Sequence, residues 1–83
     1  MISVTIRLFA SYREIIGKSS ILMNVSKGAL VSDLLTDLLE QYPQLAGNSS
    51  KIVVAVNHEY QTNSYTLHTN DEVALIPPVS GGG

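Results

Sequence analysis

Cysteine is absent from the 83 residues, which removes disulfide staples, thiolate metal sites and cysteine nucleophiles together. Charge is scarce as well. Asp, Glu, Lys and Arg make up 14% of the chain, against about 25% in an average one. Five Lys and Arg against seven Asp and Glu leave a formal charge of −2 and no basic run. The electrostatic driving force for a phosphate backbone is missing, and the sequence argues against nucleic acid as a partner. The longest apolar run, Ile52 to Val56, falls far short of the ~20 residues of a membrane helix. No charged segment precedes an apolar one at the N-terminus, so no signal peptide is expected. These absences predict a cytoplasmic protein without a membrane partner; the length of 83 residues predicts one domain over 1–83, and the terminal glycines a flexible tail over 79–83.

What is present is a regular alternation. Ile2, Val4, Ile6 and Leu8 fall on one face and Ser3, Thr5 and Arg7 on the other, the period of a half-buried strand. Tyr12, Ile15 and Ile16 at i, i+3, i+4, closed by Gly17, predict a helix of about two turns. Ile21, Met23 and Val25 alternate again as a second strand. Val31, Leu34, Leu35, Leu38, Leu39 and Tyr42 form one apolar helical face over Leu30 to Tyr42. Ser32 is the candidate cap, Asp33 suits the positive end of the dipole, and Pro43 bars continuation.

The β-branched run Ile52 to Val56 predicts a central strand. Asn57-His58 suits a two-residue hairpin turn, because both residues tolerate positive φ. Tyr60 to Asn63 would return, Thr69-Asn70-Asp71 would turn, and Val73 to Ile76 would form the last strand before Pro77-Pro78. The order is β-(short α)-β-α-β-β-β. Setting the first and last strands side by side in parallel gives the helix a right-handed crossover. The result is an α+β fold of β-grasp (ubiquitin-like) type, a mixed sheet with one long helix packed on one face.

Catalytic groups are thin on the ground. His58 and His68 lie ten residues apart, which matches no metal spacing, and turn or solvent-facing histidines explain both. Asp71 and Glu72 are adjacent, so in a strand they face opposite ways and do not form an acid–base pair; a turn ending in surface charge is the simpler reading. Asp33, Asp37 and Glu40 fit a solvated helix face. No Gly-x-Ser-x-Gly elbow or phosphate-binding glycine loop occurs. Neither a bound metal nor a stably bound cofactor is expected, and the domain alone is expected not to be an enzyme.

The ending Pro77-Pro78-Val79-Ser80-Gly81-Gly82-Gly83 resists that plain reading. Frayed or appended glycines are common. Glycine without a Cβ can also thread a slot too narrow for a side chain, and the two prolines would stiffen its exit. Val79 to Gly83 span about 17 Å at ~3.4 Å per residue. Such an arm is expected to stay mobile until a partner repays its backbone entropy.

Asp71-Glu72-Val73-Ala74-Leu75-Ile76-Pro77-Pro78-Val79-Ser80-Gly81-Gly82 closely resembles the C-terminal signature of the small subunits of molybdopterin synthase, the MoaD-type sulfur carriers. Arg7-Leu8-Phe9-Ala10, Arg13-Glu14, Gly17, Leu34, Tyr42-Pro43 and Ala55-Val56-Asn57-His58-Glu59-Tyr60 resemble that family in the same order. The third glycine departs from it, since members usually end at the pair.

The resemblance implies that an E1-like, ATP-dependent adenylating enzyme makes a transient C-terminal acyl-adenylate. A sulfur donor then converts it to a thiocarboxylate, whose sulfur builds the dithiolene of molybdopterin on the large synthase subunit, in a heterotetramer. Gly83 is the expected sulfur-bearing residue, or Gly82 if the last glycine is an addition. Gly81 and Gly82 form the threading arm. Leu75, Ile76, Pro77, Pro78 and Val79 are candidates for the partner interface, although one of Leu75 and Ile76 must point inward because neighbours in a strand alternate faces. The alternatives are a thiamine-thiazole sulfur carrier, a ubiquitin-like modifier, or a bare interaction module.

Overall fold

A computed structural model describes residues 1–45 and 52–76. The expected loop Gly47-Asn48-Ser49-Ser50 and the arm from Pro77 onward lie outside them. Seven elements follow in the anticipated order: β1 (Ile2–Leu8), α1 (Ala10–Ile16), β2 (Ser20–Val25), α2 (Val31–Gln41), β3 (Val53–Val56), β4 (Glu59–Gln61) and β5 (Glu72–Ile76). The sheet order is β2-β1-β5-β3-β4. Among the described residues only β1 and β5 run parallel, with Thr5 opposite Glu72 and Leu8 opposite Leu75. Their parallel pairing spans both helices and β2 to β4 in sequence, the central feature of a ubiquitin-like β-grasp sheet.

Alternation decides what is buried. Val4, Ile6 and Leu8 of β1, Met23 and Val25 of β2, Val54 and Val56 of β3, and Val73 and Leu75 of β5 all enter one core with Val31, Leu34, Leu35 and Leu38 of α2. A sheet covered by helix on one face leaves the other face to solvent. Thr5, Arg7, Leu22, Asn24, Ala55, Tyr60, Glu72, Ala74 and Ile76 belong to that face by strand parity and register, and Ala55, on β3 between β5 and β4, is buried there by its neighbours.

Several local expectations need correction. The cap of α2 is Leu30, not Ser32, and the Leu30 N–H donates to the Asp33 carboxylate at 2.9 Å. The Ser32 carbonyl accepts from the Thr36 hydroxyl instead. In α1, Tyr12 is buried and Ile16 partly so, while Ile15 is exposed. Residues 12 and 16 lie about 40° apart around a helix, whereas 15 falls 60° to the other side. Strand β3 begins at Val53 rather than Ile52, and β4 is Glu59–Gln61 rather than Tyr60 to Asn63. The turn explains the second shift. Asn57 and His58 both adopt positive φ, 52° and 73°, which closes the hairpin in two residues and sets Glu59 directly opposite Val56.

Candidate functional site

Strand β5 lies between β1 and β3, so the chain leaves the middle of the sheet at Ile76, opposite Val53. The parallel register with β1 brings Phe9, one residue past the Leu8–Leu75 pair, level with Ile76. Phe9 and Val53 are 42% and 41% exposed, Ile76 is half-buried, and Tyr60 further along the open face is 74% exposed. The Arg7 guanidinium sits 5.9 Å from the centroid of the Phe9 ring and donates to Glu72 Oε1 at 3.0 Å. Both partners are partly solvated, so the ion pair orients Arg7 more than it stabilises the fold. An uncharged aromatic–aliphatic rim thus surrounds the root of the C-terminal segment, with one fixed cation beside it.

Leu75 does not belong to that rim. It is fully buried among the core residues, so of the two adjacent candidates only Ile76 offers surface. The physical reason is the alternation itself: Val73 and Leu75 point toward α2, and Ala74 and Ile76 away from it. Pro77, Pro78, Val79, Gly81, Gly82 and Gly83, and with them the expected mobility of the arm, lie outside the described residues.

At the other end of β5 the surface-charge reading of Asp71 is overturned. Asp71 is 6% exposed. Its carboxylate accepts from the Asn57 side-chain amide at 2.9 Å and from the His68 N–H at 2.8 Å. The Asn57 side-chain oxygen in turn accepts from the Glu72 N–H at 3.0 Å. Asp71 therefore fastens the β3–β4 hairpin to the turn that starts β5. His58 and His68 lie 3.5 and 3.9 Å from Glu72 and Asp71 respectively, in separate contacts. Among the described residues no three His, Cys, Asp or Glu side chains gather to hold a metal, and no helix is long and apolar enough to cross a membrane. A hollow of about 370 Å³ beside Ile2, Gly28 and Leu67 sits at the far end of β1 from Ile76.

In the sequence Phe9 stands out only within a motif and Arg7 within that motif and on the polar face of the first strand, while Val53, Tyr60 and Leu22 carry no site signal of their own. The signal was available in principle. With one helix layer, the outward residues of every strand share a single exposed face, and the apolar ones among them stand out.

Comparison with known proteins follows the same line. The profile described as the ThiS family matches residues 6–82. A molybdopterin synthase sulfur carrier subunit from Dictyostelium discoideum is 40% identical over 80 residues, covering 93% of each chain. Its counterpart from Arabidopsis thaliana is 35% identical over 81 residues, covering 98% of this chain and 84% of the relative. Among solved structures, SAMP1 from Haloferax volcanii superposes with a TM-score of 0.83 at 32% identity, covering 96% of this chain and 99% of that one. The chain belongs to the ThiS family, among the sulfur carrier subunits of molybdopterin synthase.

Proposed function

We propose that this protein carries sulfur on its C-terminal glycine arm, delivering it for the dithiolene of molybdopterin, and has no catalytic activity of its own. The observation that carries the reading is the family match running through Pro77-Pro78-Val79-Ser80-Gly81 to Gly82, on a chain whose central strand β5 feeds that segment. An E1-like enzyme joins the terminal carboxylate to AMP from ATP with loss of pyrophosphate. Sulfur from a donor then displaces AMP to leave a thiocarboxylate. A carboxylate is a poor acceptor, adenylation supplies the leaving group, and the product has a nucleophilic sulfur on an unhindered arm. No cofactor is held stably, and the reaction is expected in the cytoplasm.

The large synthase subunit is the proposed receiver, in a heterotetramer, with the arm of Gly81 and Gly82 in its cleft. Pro77, Pro78 and Val79 would line the approach, and Phe9, Val53 and Ile76 would form the apolar seat at the root of the arm. Gly83 bears the sulfur unless Gly82 is the functional end; the family match stops one residue before Gly83.

Reconstitution with the activating enzyme, ATP and a sulfur source tests this by intact mass. One oxygen replaced by sulfur adds about 16 Da. Deletion of Gly82 and Gly83 together is expected to abolish both the mass shift and molybdopterin formation without altering the melting temperature. Deletion of Gly83 alone identifies the functional glycine. A doubly truncated chain that still supports molybdopterin formation would overturn the proposal.

A further inference from the structure

The two edges of the sheet are built differently. β4 is three residues long and carries the exposed Glu59, the usual protection against strand addition. β2 is six residues long, pairs with β1 in unbroken register, and has neither charge nor proline from Ser19 to Ser26. Its outer edge can be assigned residue by residue. The Leu8 N–H donates to the Ser19 carbonyl at 2.9 Å, so Ser19, Ile21, Met23 and Val25 direct their peptide groups toward β1. Antiparallel pairing alternates, and Ser20, Leu22 and Asn24 therefore point their N–H and C=O groups away from the sheet. Leu22 is 70% exposed, a large apolar side chain set in the middle of that open edge.

We infer that β2 is a self-association edge, on which a second copy of this chain pairs antiparallel about a two-fold axis through Leu22. The argument for a second copy is the strand's self-complementarity in this one register. Leu22 faces Leu22 of the second copy, and Ser20 faces its Asn24 on both sides of the axis. On the core-facing side, Ile21 meets Met23 and Met23 meets Ile21. The three outward residues of each strand match the three of its mate as hydrogen-bonded pairs. The Asn24 side-chain oxygen is already occupied by the Ser3 hydroxyl at 2.7 Å, which turns its amide N–H groups outward toward a facing Ser20 hydroxyl. Lys18 and Lys27 bracket the segment and stop the pairing from spreading beyond it.

The product is one continuous ten-stranded sheet with the helices of both copies on the same side. Antiparallel edges send the two β5 strands in opposite directions. Each copy's Ile76 lies two strands in from the paired edge and stays clear of the contact. This inference does not depend on the sulfur-carrier reading; it rests on β2 alone.

The lack of native cysteine makes the register directly measurable in the full chain. Wild-type protein is expected to show concentration-dependent dimer formation in sedimentation between about 10 μM and 1 mM. Leu22→Lys, which brings two like charges face to face at the axis, is expected to weaken it about tenfold or more with an unchanged circular dichroism spectrum. Leu22→Cys should form a disulfide-linked dimer under mild oxidation, since facing Cα atoms about 5.5 Å apart are within bonding range. Ser20→Cys should not, because its symmetry mate lies four residues along, about 13 Å away. A wild-type chain that stays monomeric through 1 mM overturns the inference. So does cross-linking of Ser20→Cys as fast as Leu22→Cys, or a dimer unaffected by Leu22→Lys, which would place the contact elsewhere.

Discussion

Tyr12 brings a phenol into the core of a small protein. The side chain is 1% exposed, and the hydroxyl has no partner among the described residues. Burial raises the phenol above its ordinary pKa of 10.0, because the charged form would lose its water. Tyr12→Phe removes an unsatisfied polar atom while keeping the ring, and the expected result is a stability unchanged or increased by about 1 kcal/mol in urea unfolding. The pH dependence has a definite sign. The folded state holds the phenolic proton above pH 10 while the unfolded state releases it, so stability falls as pH rises from 10 toward the folded pKa. Tyr12→Phe should flatten that alkaline decline, and equal slopes for the two proteins would exclude it. The sequence marked Tyr12 as apolar-face helix but held no sign of the stranded hydroxyl, since hydrogen-bond satisfaction is a property of the packed state.

Asp71 shows the same limit from the other side. In sequence it is one of two adjacent acids in a turn; in the fold it bonds both the Asn57 amide and the His68 N–H. Asp71→Ala strands both donors in a part-buried site, and a loss of about 2–3 kcal/mol is expected by denaturant titration. A loss under about 0.5 kcal/mol would show that water replaces the carboxylate without cost.

At the scale of elements, periodicity carried most of the information. The alternation of Ile2 to Leu8 located β1 to the residue, and the α2 face set by Val31, Leu34, Leu35 and Leu38 is the buried one. Asn57-His58 fixed a two-residue turn because few residue pairs accept two positive φ values. Element ends were less legible. Capping at Leu30 depends on a side chain three residues away, and Ala10 opens α1 at a φ of 49° that alanine does not announce. The apolar helix face is where stability concentrates. Leu38 is fully buried, and Leu38→Ala is expected to cost about 2–5 kcal/mol, a large part of the stability of a chain this short. Thermal or urea unfolding measures it directly, and a loss below about 1 kcal/mol would mean that the cavity refills from neighbouring side chains.

At the scale of the molecule, the fold separates a packed core from an open sheet face. The core lies between α2 and the sheet, the arm departs from the central strand, and the open face surrounds its root. Adjacent residues on one strand therefore serve opposite ends, which sequence could state as a rule but not assign. Leu75 is core, while Ile76 and its neighbour in register, Phe9, are surface. The same substitution at the two kinds of position should give opposite signatures. Phe9→Ala is expected to leave the unfolding midpoint almost unchanged and to weaken binding of the large synthase subunit by about tenfold or more, as truncation of an aromatic anchor does. Leu75→Ala should lower stability by about 2–5 kcal/mol and, at a temperature where the chain is still folded, leave that affinity close to wild type. Calorimetric titration of each variant beside its denaturant curve reads both quantities. If Phe9→Ala binds as tightly as wild type, the receiver docks away from the arm's root. The apolar rim around Ile76 would then have to be reassigned to another partner.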